Sequence, residues 1–207
     1  MDSLMARLAG VSGKETAERA RRAALSLFAL HGYAAVSMRD IAGEVGVGAP
    51  ALYNHFATKQ DLLVELMEDH LRDLLGAWRA HPMAGEDADP AEAVEAFTRF
   101  HIRFHRDKTD EVFVAYMELR SLERPNFHRI ERMRGAYEAH LEAIIARGGE
   151  AGAFHAPEPK IAAMALIAML TGVTHWYRQG GRLSPEAIED LYVDMARRTL
   201  RADQGDA

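Results

Sequence analysis

The sequence contains no cysteine, which excludes disulfides, thiolate metal sites and cysteine nucleophiles from its chemistry. Long apolar runs are missing too. The longest, IAAMALIAML over 161–170, is well short of the roughly 20 residues that cross a bilayer, so it reads as a buried helix. The first ten residues, MDSLMARLAG, carry one arginine and no sustained apolar core. No secretory signal is read there, and a cytoplasmic location with no membrane partner is expected. Alternating apolar and polar stretches bounded by turn signals are also lacking, so no sheet is expected.

Charge is short on the positive side, with a net of −6. That balance argues at first against nucleic acid, but its distribution is uneven. Residues 1–60 hold seven Lys/Arg against five Asp/Glu, a surplus of two, which leaves −8 for the rest. A mildly basic head on an acidic body allows nucleic-acid contact through the head alone.

What the sequence has throughout is helical periodicity. Ser12-x-x-Glu15, Ser37-x-x-Asp40 and Thr58-x-x-Asp61 each place a hydroxyl where a helix can start and a carboxylate three residues on. The hydroxyl accepts a free backbone N–H, and the carboxylate complements the positive helix end. Asp89-Pro90 and Ser184-Pro185 add proline at a first helical position. These signals predict an all-α fold of about nine helices, near 13–31, 38–44, 49–55, 59–79, 90–106, 109–122, 126–149, 158–179 and 185–202. The segment 81–89 reads as a linker.

The second and third helices are short and separated by a tight turn. Ile41, Ala42 and Val45 form an inner face, Gly46 suits a left-handed turn, and Leu52 and Phe56 bury one side of the third helix. Ala49, Ala51, Tyr53, Asn54 and His55 are left facing outward or along the flanks. A helix of this shape can enter a major groove, with Asn54 able to pair with adenine and Ala51 to meet a thymine methyl. Periodicity alone does not separate that arrangement from three packed helices with no nucleic-acid role.

The residues Ala23, Ala24, Leu27, Phe28, Gly32, Tyr33, Ser37–Asp40, Ile41-Ala42, Val45-Gly46-Val47, Leu52-Tyr53-x-His55-Phe56 and Lys59-x-x-Leu62 follow one another in a pattern that resembles the DNA-binding domain of the tetracycline-repressor (TetR) family. The resemblance covers about 14–66, and its Tyr-x-His-Phe-x-x-Lys ending is the most specific part. It implies a helix-turn-helix domain over 1–60 and a ligand-binding and dimerisation domain over 61–207. It further implies base contacts from Arg39, Ala49, Pro50, Ala51 and Asn54, and phosphate contacts from Ser37, Met38, Tyr53, His55 and Lys59. Gly48 and Ala49 stand where many members carry Ser, Thr or Lys, so this recognition helix offers methyls and few hydrogen bonds. Specificity is then expected to lean on Arg39, Asn54 and DNA shape.

In the body, Phe97, Phe100, His101 and Phe104, then Phe113, Tyr116, Met117 and Arg120, with Tyr137, Met169 and Trp176, are candidate lining for an adaptable ligand pocket. Each is equally at home in an ordinary core. His101 and His105 stand four apart, but two imidazoles make half a metal site, so no metal or cofactor is expected. No residues position a nucleophile or water beside Glu118 or Glu123, and no catalytic site is assigned.

The eighth helix is apolar around most of its circumference, and Ala162, Ala165 and Gly172 would let a partner helix approach. In the family the last two long helices form the dimer, so the resemblance implies a homodimer on a palindromic operator. The strings Glu118-Leu119-Arg120-x-Leu122, Arg134-x-x-Tyr137-Glu138, Gly152-x-Phe154 and Trp176-Tyr177-Arg178-x-Gly180-Gly181-x-Leu183 resemble a subgroup of the family that responds to acyl-CoA thioesters. Arg129, Arg132, Arg134, Arg178 and Arg182 would supply cations for CoA phosphates. The resemblance thus implies a repressor released from DNA by a small molecule. A regulator of efflux genes that binds a general lipophile, and a helical ligand carrier without DNA binding, are the competing readings.

Overall fold

A computed structural model of the chain describes the backbone of residues 2–200 and the side chains of 13–200. Among the described residues all regular structure is helical. The α-helices are α1 (Asp2–His31), α2 (Met38–Val45), α3 (Ala49–Tyr53), α4 (Lys59–Arg79), α5 (Pro90–Arg106), α6 (Thr109–Met117), α7 (Arg124–Glu150), α8 (Pro159–Thr171), α9 (Val173–Trp176) and α10 (Pro185–Leu200). Short 3-10 turns lie at Tyr33–Ala35, Pro82–Ala84 and Glu118–Ser121.

The capping chemistry explains several helix starts. Ser37 Oγ accepts from the Asp40 amide at 3.2 Å while the Asp40 carboxylate accepts from the Ser37 amide at 2.7 Å. Thr58 and Asp61 repeat the reciprocal pair at 3.0 and 2.9 Å. The Asp89 carboxylate accepts from the amides of Ala91 and Glu92, ahead of Pro90.

Three expected features differ. The helix expected to start near residue 13 already runs from Asp2, through helix formers such as Leu4, Met5 and Ala6, so the backbone of Ser12 lies inside α1; its side chain lies outside the described residues. The helix expected over 109–122 stops at Met117 and tightens into a 3-10 turn, where Glu118 is bonded to the distant Tyr33 amide. The segment expected as one helix over 158–179 is interrupted at Gly172, leaving α9 as a single turn. Glycine holds the helical backbone weakly, so the break falls there.

The chain forms two compact units: residues 1–70 with 110–130, and residues 71–109 with 131–207. In the first, α1 packs on α2 and α3, with Ala20, Ala24, Phe28, Ile41, Leu52, Phe56 and Leu63 buried. Apart from Phe56, which lies just beyond the end of α3, those residues sit at the spacings that put them on the inner face of their helices. In the second unit α5 packs against α8, α9 and α10. Trp78 and Phe97 meet edge to face with centroids 4.9 Å apart. Glu189 of α10, only 1% exposed, is bonded by Arg103 at 2.7 Å and lies 3.6 Å from Arg99, an ionic seam between α5 and α10.

Candidate nucleic-acid interface and ligand groove

The turn between α2 and α3 is built by Gly46, whose φ of 76° lies in the left-handed region. The Val47 amide then reaches the Ala42 carbonyl at 3.0 Å and the Gly46 amide the Gly43 carbonyl at 3.1 Å, which satisfies the end of α2. Beyond the turn, Pro50 stands in the first turn of α3, where its missing N–H costs nothing. Leu52 and Phe56 are buried and fix the roll of α3. Ser37, Arg39, Gly48, Pro50, Tyr53, Asn54 and His55 are exposed, and Ala49 and Ala51 are half-buried. Tyr53, Asn54 and His55 are therefore open to a partner and Ala49 and Ala51 partly so, and the outward side chains are short until Tyr53.

Two phosphate candidates sit differently from the expectation. Met38 is buried in the head core, so it can meet a phosphate only through its backbone amide in the first turn of α2. Lys59 is occupied internally: its Nζ donates to the carbonyls of Tyr33 at 2.8 Å and Val36 at 2.7 Å and lies 4.0 Å from the Tyr33 ring centre. Burial pushes this ammonium below the usual lysine range. Hydrogen bonds from Ser37 hold the Asp40 carboxyl below its ordinary value, so the cap is ionised at neutral pH.

The body candidates divide into distinct settings. Phe97, His101 and Tyr137 are fully buried. His101 bonds the Tyr137 hydroxyl and the Thr171 hydroxyl, each at 3.0 Å, and joins α5, α7 and α8. These three are core. Phe100 and Phe104, by contrast, line an open groove of about 750 Å³ with His81, Met83, Arg99 and Arg103. The arginines at its edge are held by Glu95, Glu189 and Asp190, so that edge is close to neutral. Trp176 is half exposed and lines a smaller hollow of about 300 Å³ with Arg178, Arg182 and Leu183. Met169 of α8 is half-buried. Phe113, Tyr116, Met117 and Arg120 belong to the other unit, where Phe113, Met117 and Arg120 are exposed and Tyr116 is half-buried. Arg129, expected to be available for phosphates, pairs with Glu68 at 2.8 Å.

A model of bacterial regulatory proteins of the tetR family matches residues 21–66, and one of the tetracyclin repressor-like C-terminal domain matches residues 87–200. The chain belongs to the tetracycline-repressor (TetR) family. Members are transcriptional regulators, not enzymes, and the α1–α3 head is the family's DNA-binding domain. The HTH-type transcriptional repressor KstR2 of Mycobacterium tuberculosis is 27% identical over 191 residues, covering 91% of this chain and 94% of that one. A tetR-family regulatory protein from Rhodococcus RHA1 is 29% identical with a TM-score of 0.84, covering 91% and 98%. AibR, solved with isovaleryl coenzyme A and operator DNA, shares the fold at 23% identity and a TM-score of 0.77, covering 87% and 97%.

Some residues that organise the site owe that role to tertiary contacts that no motif shows. Gln60, Glu118 and Glu189 are buried and polar, and each is held by partners far along the chain. One signal was present for Gln60: it is in phase with Leu63, Val64 and Met67 on the apolar stripe of α4.

Proposed function

We propose that this TetR-family regulator is a cytoplasmic, dimeric repressor that holds a palindromic operator and releases it when a small molecule of the acyl-CoA thioester class binds the body. The head supports the DNA side of this reading. Arg39 at the start of α2, Tyr53 at the end of α3, and Asn54 and His55 in the turn that follows it are exposed, while the opposite faces are locked into the core. In this reading Arg39 and Asn54 meet base edges alongside the methyls of Ala49 and Ala51 and the ring of Pro50, while Ser37, Tyr53, His55 and the Met38 amide hold phosphates.

The single observation that carries the dimer is an uncovered apolar face on α8 and α10. Ala163, Leu166, Ile167 and Leu170 of α8 are buried within the unit, yet Ile161, Met164, Ala165 and Ala168 on its other side are exposed. Leu191 and Met195 of α10 are exposed as well. A two-fold axis through such a face would cover it and present two recognition helices to two half-sites.

Two features support the effector class. The Phe100–Phe104 groove joins an apolar part, from Met83, Ala96, Phe100 and Phe104, to a charged edge of Glu92, Glu95, Arg99 and Arg103, and is large enough for an acyl group. AibR, of the same fold, holds isovaleryl coenzyme A together with operator DNA. The switch requires that the effector bind more tightly to the conformation that fits the operator poorly. The test is a gel-shift titration on an operator obtained by binding-site selection. Release by isovaleryl-CoA, but not by CoA or free isovalerate, supports the acyl-CoA reading. Release only by lipophilic compounds lacking CoA favours an efflux regulator, and no DNA binding at all leaves a ligand carrier.

A further inference from the structure

The first compact unit contains a polar cluster, centred on the buried Gln60 and Glu118, that no DNA or effector contact requires. Gln60, in the first turn of α4, uses both ends of its amide. Its Nε2 donates to the Tyr33 hydroxyl at 3.0 Å and to the Ser121 carbonyl at 3.1 Å. Its Oε1 accepts from the Glu123 amide at 3.0 Å. Glu118, 4% exposed, accepts from the Tyr33 amide at 3.1 Å and from the Ser121 hydroxyl at 2.6 Å. The 3-10 turns at 33–35 and 118–121 lie against each other as a result.

The placement of these bonds along the chain matters. Tyr33 comes four residues before the Ser37 cap, where α2 begins, and Gln60 comes two residues after the Thr58 cap, where α4 begins. The whole helix-turn-helix lies between these two gripped points. Both are gripped by one stretch, 118–123, which follows α6 and leads into α7. We propose that Gln60, Glu118 and Tyr33 form a coupling clasp, positioning residues that make the register of the helix-turn-helix and the packing of segment 118–123 depend on each other.

Buried hydrogen-bonding groups favour an all-or-none clasp. Gln60 and Glu118 are themselves buried, so opening their bonds strands the amide or the carboxylate away from water, while the half-buried Tyr33 and Ser121 and the exposed Glu123 can rehydrate; the cluster therefore favours closing or opening as a unit. Such an element has two discrete arrangements, which is what a transmitted signal needs. Coupling is also reciprocal, so what the segment does to DNA binding, DNA binding does to the segment. That allows a test without knowledge of the effector.

This inference rests on the DNA-binding reading, and the experiment separates the two. Hydrogen–deuterium exchange is followed by mass spectrometry on the full chain, with and without the selected operator duplex. In the unaltered protein DNA is expected to slow exchange several-fold in 118–126 as well as in α2 and α3. Tyr33→Phe removes one bond of the clasp and Gln60→Leu removes them all from that side chain. Both variants should keep protection of α2 and α3 and lose it in 118–126, Gln60→Leu more completely. Remote protection that persists in Gln60→Leu, even with a lowered Tm, would reduce the cluster to packing and overturn the clasp. Protection confined to α2 and α3 in the unaltered protein would overturn it as well. Absence of protection everywhere would instead remove the DNA-binding reading beneath it.

Discussion

Replacing Lys59 with methionine keeps the length and apolar stem of the side chain and removes only its charge and donors. The structure gives those donors two internal duties, the Tyr33 and Val36 carbonyls at 2.8 and 2.7 Å. A hydrogen bond from a charged group contributes about 1.5–3 kcal/mol, and a buried carbonyl left unpaired costs about 1–3 kcal/mol. Val36 is only 4% exposed, so water cannot readily replace the ammonium there. A loss of about 3 kcal/mol follows, and for a chain of this size that lowers Tm by roughly 6–12 °C. If Lys59 also meets a phosphate, DNA affinity falls for all sequences alike and the slope of log K against log salt becomes shallower by about 0.9. Thermal unfolding by circular dichroism and fluorescence anisotropy at several salt concentrations read the two effects separately. A Tm within about a degree of the unaltered protein, with the salt slope reduced, would refute the internal role.

Other outcomes follow from the same geometry. Arg39→Ala and Asn54→Ala should flatten the base preferences found by binding-site selection, each lost pairing being worth about 1–3 kcal/mol of discrimination; an unchanged preference would remove them from base reading. Ala168→Arg on the uncovered face of α8 should yield monomers in sedimentation analysis while leaving the far-ultraviolet spectrum helical, and an unshifted dimer would move the interface elsewhere. Burial lowers the His105 pKa to about 4, so this histidine is neutral when folded and takes up a proton when unfolded. Its share of stability is complete above pH 6.5 and is lost as pH falls towards 4, by about 2 kcal/mol at pH 5. The stability gap between the unaltered protein and His105→Gln should therefore narrow by that amount between pH 7 and pH 5 in urea unfolding curves, and a constant gap would contradict it.

What the sequence made legible was local. The Ser37–Asp40 and Thr58–Asp61 pairs act across three residues, and Gly46 acts on its own backbone, so each could be read before any tertiary contact was known. Leu52 needed only helical spacing, whereas Phe56 lies past the end of α3 and is tied back to it by its amide on the Leu52 carbonyl. Long-range bonds defeated the reading elsewhere. The conversion of α6 into a 3-10 turn at Glu118 depends on an amide 85 residues away. Lys59 looked free because its motif places it beside DNA, while its ammonium is spent on carbonyls 23 and 26 residues upstream. The aromatic residues of the body divide in the same way: helical periodicity put Phe97, Phe100 and Phe104 on one helix, and Trp78 meets both Phe97 and Phe100, but Phe97 is also packed on Tyr137 and is core while Phe100 and Phe104 line a groove.

The most direct measurement of the central claim is binding-site selection with the purified full-length protein, followed by affinity for the selected duplex across a salt series. The selected pool should contain a palindrome whose half-site centres are separated by about 10–10.5 base pairs or a multiple. Affinity for it should fall steeply with salt, and Asn54→Ala should weaken preference at a defined base position. A pool without enrichment, and binding that is equal for all sequences, would contradict it.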